Sequence, residues 1–352
     1  MAIIDVQHLG FAYAATPILQ DVCLTIEPRT ITVLLGPSGC GKSTLLRLIA
    51  GFEAPGSGVI RIGDQVVSQD GRIVVPPERR QIGMVFQDLA LWPHMTVRTT
   101  LDFVLRGVGC PADERADRVQ AMLTKASLQA VALAYPAQLS GGQQQLLALA
   151  RALISQPRVI LMDEPLASLD VALREQFIET LLRLVQAEPL SLLYVTHDHE
   201  EAFTLADRLV VMSQGQIEQV GTPEAIYHRP ATPFVQRFIG VTNVLDGIVV
   251  ADGRVQTACG MIRCETSNVH SGEAVQVVIR AEDLHVEPDG AGELVGVVAR
   301  TVYPGGGLLY IDMGSRFLRV RSSADIPPGQ RVTLAVHRAP RCLRRGELRC
   351  TT

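Results

Sequence analysis

Short apolar runs alternate along this chain with longer stretches of helical spacing. Residues 31–35, 82–86, 159–162 and 191–196 are each mostly apolar and four to six residues long, the pattern of parallel strands covered on both faces. Each run ends abruptly in glycine or in polar residues. Between them, Leu45, Leu46, Leu48 and Ile49 recur with helical period up to Gly51, a natural helix stop. Helical patterning returns from about 96 to 134, where Asp113, Glu114, Arg115, Asp117 and Arg118 mark a solvated face, then over 144–155 and 171–186. Residues 209–217 read as a closing hairpin, and 223–239 as one or two short helices broken at Pro230 and Pro233.

Beyond about Gly240 the period changes. Residues 244–250, 275–279, 293–302, 308–313, 317–320 and 332–336 are β-patterned runs divided by Gly, Pro and Asp turns. The expected organisation is therefore an α/β domain over 1–240, with a helical subdomain at about 90–157, followed by a small, barrel-like all-β domain over 241–352.

Composition narrows the class. The 352 residues are 47% hydrophobic and 19% charged, and no apolar run approaches the roughly 20 residues needed to cross a bilayer. The first residues lack the basic region and apolar core of a signal peptide, so the expected compartment is the cytoplasm. A formal charge of −4 argues against nucleic acid as the main partner. Seven cysteines without zinc-ligand spacing suit a reducing compartment, and Cys259 and Cys264 read as small core residues. Arg338, Arg341, Arg344, Arg345 and Arg349 form a basic tail, read as solvated.

The chemistry concentrates where the apolar runs end. After 31–35 comes Gly36-Pro37-Ser38-Gly39-Cys40-Gly41-Lys42-Ser43-Thr44, and strand, glycine loop, Lys-Ser and helix make a phosphate-binding P-loop. Lys42 is one of only two lysines in the chain, the other being Lys125. Its expected role is to hold the β- and γ-phosphates of a nucleotide, with the Ser43 hydroxyl on Mg²⁺. After 159–162 come Asp163 and Glu164, placed to hold Mg²⁺ through water and to act as general base. A second glycine-rich helix start, Ser140-Gly141-Gly142-Gln143, follows Leu139 and has no lysine of its own. Three residues stay open at this level. Tyr13 is an adenine-stacking ring or an edge-strand tyrosine, Gln87 a metal or water ligand or a loop residue, and His197 a γ-phosphate contact or a structural histidine.

The order of these motifs, with Ser168-Leu169-Asp170 between Glu164 and His197, resembles the ATPase subunits of ABC transporters. Leu139 to Gln143 is the signature of that superfamily, and the resemblance covers roughly residues 1–240. The later β-patterned region looks like the OB/TOBE-type accessory domain of importer ATPases for ferric iron, polyamines and sugars. The resemblance implies an ATPase using ATP and Mg²⁺ and working as a head-to-tail dimer. Each nucleotide would lie between one P-loop and the other copy's signature, Ser140, Gly141, Gly142 and Gln143, and Asp170 would also belong to the nucleotide site. It implies Tyr13 on adenine, and Gln87 linking Mg²⁺ and water to integral membrane permease subunits. A solute-binding protein is an indirect partner, and the expected location is the cytoplasmic face of the inner membrane, with ferric iron or a polyamine as solute. Two alternatives are a soluble ABC-type ATPase acting on DNA or ribosomes and a nucleotide-binding module without turnover. Leu146 stands where the family commonly has Arg, and Thr99-Thr100 replaces a more usual pair ending in Asn.

Overall fold

The computed structural model describes residues 2–167, 169–186, 190–240, 242–250, 253–265, 269–287, 292–302, 307–324 and 326–344. The chain divides into two compact units, Met1–His228 and Arg229–Thr352.

The first unit opens with β1 (Ile4–Tyr13) and β2 (Thr16–Ile26), then β3 (Ile31–Leu35) and helix α1 (Lys42–Ala50). Strands β4 (Ser57–Ile62), β5 (Gln65–Gln69), β6 (Arg72–Ile73) and β7 (Ile82–Val85) follow, then helices α2 (Val97–Gly107), α3 (Ala112–Lys125) and α4 (Gly141–Leu153). The unit closes with β8 (Val159–Asp163), α5 (Val171–Gln186), β9 (Ser191–Thr196), α6 (His199–Leu205), β10 (Arg208–Ser213), β11 (Gln216–Gly221) and α7 (Pro223–His228).

Two sheets carry this unit. An antiparallel sheet runs β2-β1-β4-β5-β6, and a second runs β11-β10-β3-β9-β8-β7. In the second, β10, β3, β9, β8 and β7 are mutually parallel. Every residue of β3, β8 and β9 is buried, which is why these strands read as continuous apolar runs. Register does the functional work. Leu35 faces Thr196, Asp163 faces Val195, and Val85 faces Met162. The residues following β3, β8 and β9 therefore emerge side by side at the carboxyl edge, where open α/β sheets take ligands.

The stretch expected to be helical from 96 to 134 is two helices. α2 ends at Gly107, and Gly109, with φ of +75°, turns the chain toward α3. α2, α3 and α4 share their own apolar core, including Val97, Leu101, Leu123, Leu147 and Ile154. Helix α4 begins three residues earlier than its apolar pattern, at Gly141.

Arg80, just before β7, is a buried structural cation. Only 3% exposed, it donates to the carbonyls of Val75, Leu48, Ile49 and Val67 and to Ser68 Oγ. Two of those acceptors are end carbonyls of α1, which have no partner inside the helix.

Among its described residues the second unit contains α8 (Pro233–Ile239) and ten strands: β12 (Thr242–Val249), β13 (Arg254–Thr257), β14 (Gly260–Arg263), β15 (Ala274–Arg280), β16 (Leu284–Glu287), β17 (Leu294–Val302), β18 (Gly307–Asp312), β19 (Phe317–Ser322), β20 (Arg331–Val336) and β21 (Arg341–Arg344). Two antiparallel sheets, β14-β13-β12-β15-β21 and β16-β20-β17-β18-β19, share one core in a barrel-like arrangement of OB/TOBE type. Cys264 is buried in that core and Cys259 packs against it. Part of the expected solvated tail is strand: Arg341 and Arg344 lie in β21, opposite Val278 and Val275. Arg345 and Arg349 lie outside the described residues.

Candidate functional site

The P-loop forms because glycines occupy positions other residues would strain. Gly39 and Gly41 have φ of +80° and +102°, in the left-handed region that favours glycine. A Cβ on Gly41 would also meet Leu19 Cδ2 at 2.7 Å. Gly41 caps α1 without a side-chain hydrogen bond, which leaves the first-turn amides of that helix to an anion. Lys42, 4% exposed, lies under the loop, with Nζ donating to Gly36 O at 2.8 Å and Pro37 O at 3.0 Å. Burial raises the Cys40 thiol's pKa, opposed by the nearby Lys42.

Ser43 Oγ donates to Asp163 Oδ1 at 2.7 Å, joining the loop to the end of β8. Asp163 is 6% exposed. Burial raises its pKa, opposed in part by the Ser43 hydrogen bond. Two hard oxygen donors converge here beside a buried ammonium and open helix amides. That set fits a nucleotide's phosphates and a hard divalent cation.

Glu164 adopts φ of +42° and its amide donates to Val195 O at 3.0 Å. The turn aims its carboxylate across to β9, where Oε2 lies 3.1 Å from His197 Nδ1. His197, open between two readings in the sequence, is thus half-exposed and held against the neighbouring acid. Next to it Asp198 caps α6, accepting from the amides of Glu200 and Glu201.

Gln87 is exposed on the turn after β7, close in register to Asp163. Tyr13 ends β1 with its ring edge-to-face on Phe11, centroids 4.8 Å apart, and its hydroxyl 3.5 Å from Glu53 Oε1. At 42% exposure the ring keeps a surface for stacking.

Ser140 is the N-cap of α4. Its Oγ accepts from Gln143 N at 3.3 Å, and Gln143 Oε1 accepts from Ser140 N at 3.0 Å, a reciprocal capping box. Cβ atoms on Gly141 and Gly142 would sit in ordinary contact with Leu169 and Leu173. Among the described residues, no hydrogen bond joins residues 140–143 to the P-loop. Asp170 Oδ1 accepts from Leu173 N at 2.9 Å at the start of α5, while Ser168 lies outside the described residues. Leu146 packs against the helical core. Thr99 shares a cap with Thr96, and the buried Thr100 hydroxyl has no hydrogen-bond partner among the described residues.

Two arginines near the site went unread in the sequence. Arg151 donates from Nη1 to Ala90 O and from Nη2 to Leu89 O at 2.9 Å, with its guanidinium 5.4 Å from the Trp92 ring centroid. Leu89 and Ala90 have φ of +59° and +44°. A lone Arg inside the apolar run 147–153 was the available signal. Arg174 on α5 bonds Asp198 at 2.8 Å, and nothing in its local spacing marks that partner. Elsewhere, His8 and Asp21 form an exposed pair beside Cys23 on the β1–β2 hairpin.

Residues 19–167 match the ABC transporter family. The spermidine/putrescine import ATP-binding protein PotA of Clostridium novyi (strain NT) is 39% identical over 303 residues, 86% of each chain. The protein of the same name from Oleidesulfovibrio alaskensis is 38% identical over 345 residues, 95% of this chain and 89% of its own. The solved structure of cbiO1 from Clostridium perfringens, part of the ABC transporter complex cbiONQ, matches with a TM-score of 0.59 at 28% identity, covering 65% of this chain and 92% of that one. By these matches this chain belongs to the ATP-binding proteins of ABC importers, ATPases whose hydrolysis is coupled to import.

Proposed function

We propose that this chain powers uptake of a polyamine of the spermidine/putrescine class, working as a head-to-tail pair of copies bound to integral membrane permease subunits. The observation that carries the hydrolytic part is the convergence at one sheet edge of Lys42, the Ser43–Asp163 pair and the Glu164–His197 pair. Relatives described as spermidine/putrescine import proteins favour a polyamine over ferric iron.

Lys42 supplies a compact charge to the β- and γ-phosphates, and the amides opening α1 add donors. Ser43 and Asp163, with Gln87 beside them, are the residues to hold Mg²⁺, which when bound offsets phosphate charge. Glu164 takes the proton of the attacking water as general base, and His197 fixes its carboxylate and registers the γ-phosphate. Tyr13 offers its ring to adenine. Ser140, Gly141, Gly142, Gln143 and Asp170 face the nucleotide of the second copy, so that hydrolysis loosens the pair and releases the permease to its other conformation. A solute-binding protein delivers cargo on the far side. No helix among the described residues is long and apolar enough to span a membrane; attachment is peripheral, at the cytoplasmic face, through the permease.

Two measurements test this. A Glu164→Gln protein with saturating Mg-ATP elutes as a dimer; elution as a monomer overturns the paired reading. In vesicles reconstituted with its permease and binding protein, labelled spermidine accumulates with ATP and ferric iron does not; the reverse overturns the choice of solute.

A further inference from the structure

Behind His197 lies a charge cluster, built on one buried glutamate and two partly exposed partners, that no step above uses. Glu201, in the first turn of α6, is only 5% exposed. It accepts from Tyr194 Oη at 2.9 Å and from Thr196 Oγ1 at 2.8 Å through Oε2. Its other oxygen faces Arg174 Nη1 at 3.6 Å. That same nitrogen donates to Asp198 Oδ2 at 2.8 Å, and Arg174 Nη2 donates to Leu169 O at 3.3 Å. Thr196 Oγ1 also accepts from the Asp198 amide at 3.0 Å.

His197 stands between two anchored residues. Thr196 before it is tied to Glu201, and Asp198 after it is tied to Thr196 and to Arg174. The guanidinium also reaches the carbonyl of Leu169, next to Asp170. One planar fork therefore joins the turn before α5 to the segment that presents the histidine. A lysine could keep the charge but could not serve both ends, because its ammonium is a single point on a flexible stem.

We infer that Arg174 is a positioning residue for hydrolysis: through Asp198 and Glu201 it sets where His197 holds Glu164, and it ties that placement to the 169–170 turn. The inference rests on the hydrolytic role proposed above for the Glu164–His197 pair.

The test is a double-mutant cycle on the full chain with Arg174→Lys, His197→Ala and the pair, reading kcat, KM for ATP and melting temperature. Arg174→Lys is expected to lower kcat about tenfold while KM stays within about threefold. In the His197→Ala background it is expected to lower kcat no further. An unchanged kcat, or a full tenfold loss repeated in the His197→Ala background, overturns the inference and leaves the role of His197 standing. If His197→Ala alone leaves kcat unchanged, the underlying reading of the pair fails instead. Should Arg174→Lys not fold, Asp198→Asn carries the same cycle, since Asn still caps α6 while losing the charge that Arg174 grips.

Discussion

Glu164 Oε2 and His197 Nδ1 lie 3.1 Å apart, linking the residue after β8 to the residue after β9. Glu164→Gln preserves shape and removes the base. Turnover should fall about 100-fold or more, with ATP affinity within a few-fold of the parent. Steady-state ATPase assays beside binding of a fluorescent ATP analogue check both halves. Loss of binding in step with loss of rate would instead make Glu164 a structural residue.

Lys42 Nζ is enclosed by the carbonyls of Gly36 and Pro37. Lys42→Arg keeps the charge but places a planar fork in a space shaped for a point. Nucleotide affinity should drop more than about tenfold, a loss of about 1.4 kcal/mol or more, measurable by calorimetric titration with ATP. Parent-like affinity would show that charge alone suffices.

Removing Arg80 should unfold the protein more easily without touching chemistry. Burial lowers its pKa to about 10, so it stays charged at neutral pH. Arg80→Met strands buried carbonyls at the end of α1, at a cost of about 2–4 kcal/mol. Denaturant melts of the two proteins measure this directly.

Glu201 offers a pH test. Burial raises its carboxyl pKa, which hydrogen bonds from Thr196 and Tyr194 only partly oppose. A raised folded pKa favours the protonated form in the fold. Its contribution to stability is therefore complete below the unfolded value of about 4.3 and lost as pH rises through the folded value. Relative to Glu201→Gln, the parent should lose stability on going upward from about pH 4.3, then level off. Parallel thermal melts of both proteins across that range would reveal a flat difference if Glu201 keeps its ordinary pKa.

Local pattern exposed the site's skeleton. β3, β8 and β9 are covered on both faces and so stand out as apolar runs, and the residues capping them were visible as polar breaks. The helical pattern alone begins at 144, whereas Ser140 with Gln143 three residues on is a capping signal that sets the start of α4 at Gly141. Arg80, Arg151 and Arg174 escaped notice for another reason. Most of their acceptors are carbonyls and carboxylates 13 to 62 residues away in sequence, and no periodicity announces a partner that only tertiary folding supplies.

Helix α4 begins at the Ser140 cap and carries Arg151 near its other end, gripping Leu89 and Ala90. Its 13 residues make a rod about 20 Å long. Were the serine end to tilt with the helix rigid, residues 89 and 90, held by Arg151 at the far end, would be displaced with it.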